Sequence, residues 1–518
     1  MTAGSTKNLY LHGLAASLVN LVVVSFYSLL VIRLSLTYLG KEEFGLLSLI
    51  AQVSAYISIL DLGLFVAFSR ILVDYNTGTR GRYANALQTA SRVFHLLGFL
   101  GFLTACVVAY GGGSHLSIPS HLYREFTILM LGQGVALWAA FGLKPLSAPV
   151  VANGKHYLIY WMTSGLTILN GILFWLALHH GIGIYSSFVA HAIQLAMNAV
   201  LLWWISKPYR SVDGPRGVFD RSILKEVLSF SRDSMLWQVG GQTLASLPIL
   251  LAAAWFALST TADLSAGMKL VLLLVSVTTR FGDMSVTPLS IQFANGNQAA
   301  AAHQMTRIAG VSGGIGVCAA LFIVCVNPAF LSWWMLEKVT WHWQSNVAGA
   351  LWVAIVTVNQ CMYGFAVISR RMNLLRWALL SECLLYLTFA WLLRPSTGAN
   401  ALMWSKPAAT LIIGVYLLIQ TGRHTRFRTA SLIPSLSRQG IGLMIMVPLC
   451  LYASHWITSN IQNPFIAFLV AVAAALIAIL ASIPIIFTGE MRHMILELFL
   501  ELFRKFRPKA LQVTPGSP

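Results

Sequence analysis

The chain has 518 residues, 57% of them hydrophobic and 10% charged, with a mean hydropathy of +0.73 and a formal net charge of +18. That composition excludes an ordinary soluble globular protein, and runs such as 465–487, apolar on every face, exclude a barrel of alternating strands. The charge does not point to nucleic acid, because basic loops beside anionic lipid account for most of it.

A bilayer core takes about 20 apolar residues per helical crossing. Read in chain order, the hydropathy predicts membrane helices at 9–38, 44–72, 84–110, 124–143, 157–178, 184–206 and 234–258, then 264–291, 307–329, 347–368, 374–393, 400–420, 440–457 and 464–488. The expected fold is therefore all-α and integral to the membrane, with about 14 crossings: two six-helix lobes, 1–206 and 234–421, and two further helices within 422–488. A linker at 207–233, with an amphipathic segment Phe219 to Phe230 suited to a membrane surface, joins the lobes, and 489–518 forms a tail. Met1 to Lys7 lacks a signal-peptide cleavage site, so the first helix is expected to stay. Lys and Arg are distributed unevenly between the two sides. Twenty-six of the 34 fall on one side and only Lys41, Arg124, Lys338 and Arg394 on the other, which predicts both termini in the cytoplasm. All six cysteines lie in apolar runs and are expected to be free thiols.

Seven ionisable residues fall inside predicted helices: Arg33, Asp61, Lys269, Arg280, Asp283, Glu382 and Lys406. Each costs at least about 2.5–3.5 kcal/mol in lipid, so each needs a partner or water. Arg280 and Asp283 stand three residues apart, at helical pairing distance. Asp61 has no cation three or four residues away and needs a partner on another helix or a proton. It suits either an ion-coupling site or a carboxyl capping a kink at Gly63. Glu382 is open to the same two kinds of reading, coupling group or interhelical anchor. Arg33, Lys269 and Lys406 lie near outer helix ends, where cavity-facing cations and snorkelling ones look alike in sequence. A weak repeat sets Glu43 and Asp61 against Asp263 and Asp283.

The run from Arg33 through Tyr38, Gly40, Lys41, Glu42, Glu43 and Phe44 to Leu46, followed by Ile59 to Leu64 and Ser69-Arg70, resembles the opening two helices of Wzx-type polysaccharide flippases. These belong to the multidrug/oligosaccharidyl-lipid/polysaccharide (MOP) exporter superfamily. The turn Phe330 to Trp334 is similar to a Leu-Trp turn of that family, though the Gly that often follows is absent. The resemblance implies a bacterial inner-membrane transporter that carries undecaprenyl-diphosphate-linked oligosaccharide from the cytoplasmic to the periplasmic leaflet by alternating access around a cationic cavity. It serves O-antigen or other polysaccharide synthesis beside a glycan polymerase and glycosyltransferases. On that reading Arg33, Lys269, Arg280 and Lys406 bind the diphosphate, Asp61, Asp283 and Glu382 couple an ion, and no cofactor, metal or catalytic residue is expected.

Two other functions compete with that reading. A cation-coupled multidrug exporter of the same superfamily would favour an acidic cavity, whereas four basic and three acidic residues occupy the helices here. A membrane polymerase or glycosyltransferase would want a sizeable aqueous loop, and the longest outer stretch, about 330–346, is short and apolar. No GxxxxGK[ST], HExxH or DxD pattern supports ATP-driven transport or metal-assisted chemistry.

Overall fold

The computed structural model describes residues 3–61, 63–76, 80–113, 115–210, 217–294, 298–368, 372–424, 429–489 and 491–492, and every regular element among them is helical. Twelve described stretches are long and apolar enough to cross a membrane, one of which, Asn373–Arg423, holds two helices joined by a 3-10 turn at Gly398–Asn400. This is a multi-pass membrane protein. Many large apolar side chains are exposed, as a lipid solvent allows: Met444 is 78% exposed and Val107 72%.

The helices follow the predicted crossings, with informative departures. α1 (Ala3–Tyr38) leads through Gly40 into α2 (Lys41–Ile57), whose start is fixed by Glu43: its carboxylate accepts the Gly40 N–H at 2.9 Å. The second predicted crossing is broken. α2 ends in a 3-10 turn at Ser58–Asp61, Gly63 takes a φ of 73°, and α3 (Leu64–Asn76) resumes beyond it. α4 (Arg80–Gly111) packs along α5 (Tyr123–Ala152), which runs nine residues past its predicted end and takes Lys144 out of the expected loop into a helix. α6 (His156–His179) packs on α1 and on α7 (Ser186–Arg210).

α8 (Arg221–Trp255) begins well before the predicted crossing, capped by Asp220, which accepts the Ser222 N–H at 2.8 Å. The amphipathic segment thus forms the first turns of this long helix. Ile223 and Val227 on its apolar face are fully buried among α3 and α4 residues rather than facing lipid. α9 (Leu258–Gly267) and α10 (Lys269–Ala294) divide the next predicted crossing. The remaining helices are α11 (Gln298–Trp334), α12 (Trp343–Ile368), α13 (Met372–Thr397), α14 (Ala401–His424), α15 (Thr429–Asn460) and α16 (Pro464–Ile486). In α16 Pro464 occupies the first turn and Asn463 accepts the N–H groups of Phe465 and Ile466.

Compact packing groups the chain into two units. Unit 1 comprises Met1–Leu273, Phe330–Ser345 and Met372–Ala409. In it α2 and α9 approach closely through their backbones: a Cβ added to Gly45 would lie 2.2 Å from the Leu258 carbonyl oxygen. Unit 2 comprises Leu274–Ala329, Asn346–Arg371 and Thr410–Pro518. Its interior is stitched by neutral groups. Asn346 donates to the Ile323 and Val324 carbonyls, Asn359 to that of Thr410 and Gln439 to that of Gly310. The six cysteines are free.

Candidate functional site

The break between α2 and α3 places Asp61 at the start of a helix with its carboxylate turned toward α5. One oxygen accepts the Phe65 N–H at 3.0 Å and so caps α3; the other meets the Lys144 ammonium at 2.5 Å. The partner on another helix that the sequence required for Asp61 is Lys144, which also lies 4.5 Å from the Phe141 ring centroid. This pair opens onto a cavity of about 380 Å³ whose other walls include Ser58, Gln238 and Gln242. Among the described residues no stretch of α8 is long and apolar enough to count as a membrane span, and Gln238 and Gln242 lower its hydropathy.

Lys406 and Glu382 form a second centre on α14 and α13. They are 4% and 6% exposed, and the Glu382 charge acts on the lysine. The Lys406 ammonium donates to the Leu244 carbonyl at 3.3 Å. Four residues on stands Pro248, which has no N–H, so the carbonyl that a helix would normally satisfy internally is vacant. Lys406 supplies the missing donor inside the membrane, with its charge balanced by Glu382 and by the Tyr386 ring at 6.0 Å.

A third group sits at the C-terminal end of α1. The Arg33 guanidinium lies over the Trp334 ring at 5.0 Å, and the Trp334 indole donates to the Leu29 carbonyl at 3.0 Å. Lys338 donates to the Leu36 carbonyl. Nearby, Lys41 and Asp263 pair at 2.8 Å, and Asp263 also accepts the Thr340 N–H at 2.8 Å. Lys269 is half-buried in the wall of another cavity, of about 340 Å³, shared with Gln52, Gln133, Asn170, His191 and Ser35.

The structure therefore brings Lys406 and Glu382 together but sets Arg33, Lys269 and Asp61 in separate surroundings within unit 1. Arg280 is an exposed residue of unit 2. Asp283 falls in α10, but its side chain lies outside the described residues, and with it the expected pairing to Arg280. Sequence reasoning missed Lys144, placed in a loop by a helix end set nine residues early, and the neutral cavity walls. A search for amides and histidines within crossings, in place of charges alone, would have found Asn170, Gln133 and His191.

No protein-family model matches the chain, and no curated protein does. Solved structures match it over most of its length. The lipid II flippase MurJ in an inward closed conformation superposes with a TM-score of 0.67 at 12% identity, covering 91% of this chain and 97% of its own. An inward-facing multidrug resistance MATE family transporter of the MOP superfamily gives 0.63 at 13% identity, covering 80% and 99%. The fold is shared with transporters of the MOP superfamily. A third example, the MATE transporter VcmN of Vibrio cholerae in a bent form, gives 0.53 at 16% identity, covering 82% and 98%.

Proposed function

We propose that the chain is a MOP-type transporter, not an enzyme, that flips undecaprenyl-diphosphate-linked oligosaccharide from the cytoplasmic to the periplasmic leaflet of a bacterial inner membrane, with both termini in the cytoplasm. The observation that carries this reading is the balance of charge. Asp61 and Glu382, the described carboxylates among the intramembrane candidates, each have a lysine beside them, Lys144 and Lys406, and Asp263 near a helix end has Lys41. No carboxylate among the described residues pairs with Arg33 or Lys269. Surplus positive charge suits an anionic lipid-linked substrate and disfavours the organic cations of a drug exporter. Arg33, Arg280 and Lys406 remain the proposed diphosphate cations, although Lys406 also holds a carbonyl, and Lys269 is a further cation facing substrate from its own cavity. Asp61, Asp283 and Glu382 remain the proposed coupling acids.

The experiment is glycan export in cells carrying Arg33→Ala or Arg280→Ala, with membrane protein quantified in parallel. Export should fall at least tenfold at normal protein level, and Arg→Lys should recover part of it because charge survives without the guanidinium fork. Full export by both alanine variants would sink the reading. Extrusion of an organic dye by the wild-type chain, with glycan export unaffected by its deletion, would establish the multidrug exporter that the MATE structures suggest.

A further inference from the structure

The cavity around Lys269 differs from every other site described above. Its wall is built by α1, α2, α5, α6, α7 and the α9–α10 junction, all within unit 1, and it contains one ammonium and no carboxylate. Lys269, Gln52 and Gln133 bond to no group among the described residues. Ser35 is fully buried in the wall, and its hydroxyl has no hydrogen-bond partner among the described residues. Unmade hydrogen bonds in a buried wall are costly unless a ligand or water completes them.

Beside these vacant groups stands a fixed relay. The Tyr27 hydroxyl donates to Asn170 at 2.6 Å, and Asn170 donates to Gln194 at 2.8 Å. The relay holds Tyr27 and Asn170 in place without a ligand. Phe44 and Phe188 supply flat apolar surface. At about 340 Å³ the space lies at the small end of ligand pockets, which fits one sugar ring and excludes an oligosaccharide.

We propose that this cavity binds a single monoanionic sugar, a hexuronate or a similar acidic residue, with Lys269 taking the carboxylate and Ser35, Gln52 and Gln133 the ring hydroxyls. One lysine neutralises one charge. A dianionic phosphate would leave a second charge among neutral groups, and a neutral hexose would leave the ammonium without its counter-ion. This site is separate from diphosphate recognition. It rests only on the geometry of unit 1 and stands whether or not the chain exports glycan.

The test is equilibrium binding of glucuronate, glucose and inorganic phosphate at millimolar concentrations to the purified full chain in lipid nanodiscs, with the thermal shift as a second readout. Glucuronate should bind saturably and at least tenfold more tightly than glucose or phosphate. Lys269→Gln should abolish that preference, and Ser35→Ala, which leaves charge intact, should weaken glucuronate severalfold. Should Lys269→Gln fail to fold, Gln133→Leu, which crowds the wall, should block binding. Equal binding of all three probes, tighter binding of phosphate, or glucuronate binding unchanged in these variants would overturn the proposal. Absence of glycan export by the wild-type chain, with glucuronate binding intact, would count against the transport reading alone.

Discussion

Unit 1 adds charges beside open space to its neutral relay, whereas the described interior of unit 2 carries neutral amides and hydroxyls bonded straight across helices. Asp61 and Lys144 meet at the rim of a cavity, and Lys406 replaces an amide that Pro248 lacks. In unit 2, Asn346 reaches two carbonyls at 3.3 Å and Thr357 donates to Thr278 at 2.9 Å. A neutral bond fixes the spacing of two helices and has little reason to change. A charge beside an open cavity can exchange a partner for water or ligand, so unit 1 is where ligand and proton chemistry is expected.

This contrast is best broken at Lys406. Lys406→Met should strip the Leu244 carbonyl of its donor and Glu382 of its counter-charge, lowering stability by about 3–5 kcal/mol in a thermal or denaturant unfolding assay. Adding Pro248→Ala restores an N–H to the helix and should return part of the loss. A double variant no more stable than the single would show that the lysine serves the carboxylate alone.

The Asp61 pair should come next. Lys144→Ala or Asp61→Asn alone should cost about 1–3 kcal/mol, tempered by the cavity's water, and the double variant should cost less than the two singles together. The same Asp61→Asn variant in vesicles should lose the response of transport to an imposed pH gradient; a normal response would remove Asp61 from coupling. Asn346→Leu in unit 2 should cost only about 1 kcal/mol and leave transport intact, since membrane hydrogen bonds between neutral groups are worth little.

Most of the fold was legible because lipid imposes one strong rule, apolar runs of fixed length, and among the described residues each of the fourteen predicted crossings falls largely on helix. The breaks were harder to see. Nothing in the hydropathy of 44–72 marks a 3-10 turn at Ser58–Asp61, although Asp61 and Gly63 were the correct residues to suspect. The end of α5 was missed because Lys144 and Pro145 look like a terminus, yet a lysine whose charge is met by Asp61 can remain in a helix. Lys406 was legible as a buried cation, but not as the donor to a carbonyl 162 residues away, because only tertiary structure joins it to Pro248.

The smallest expected effect lies outside the membrane, at Asp220. Its carboxyl is held below the ordinary Asp range, first by the Ser222 hydroxyl and then by the Ser222 N–H. A depressed folded value means that its contribution is fully present above the ordinary pKa and disappears as pH falls through the folded one. Wild type and Asp220→Ala should therefore differ slightly in unfolding midpoint near neutral pH and converge in acid.

The length of α8 has a mechanical consequence. Its 35 residues make a rod of about 50 Å, seated at one end in the α3–α4 core through Ile223 and Val227 and at the other in the α2–α5 core through Ala253. Such a rod acts as a lever when one seat serves as its fulcrum and the other gives way. A tilt of about 3° about either seat displaces the far end by roughly 2.6 Å, close to the diameter of a water molecule, while the side chains at the fulcrum scarcely move.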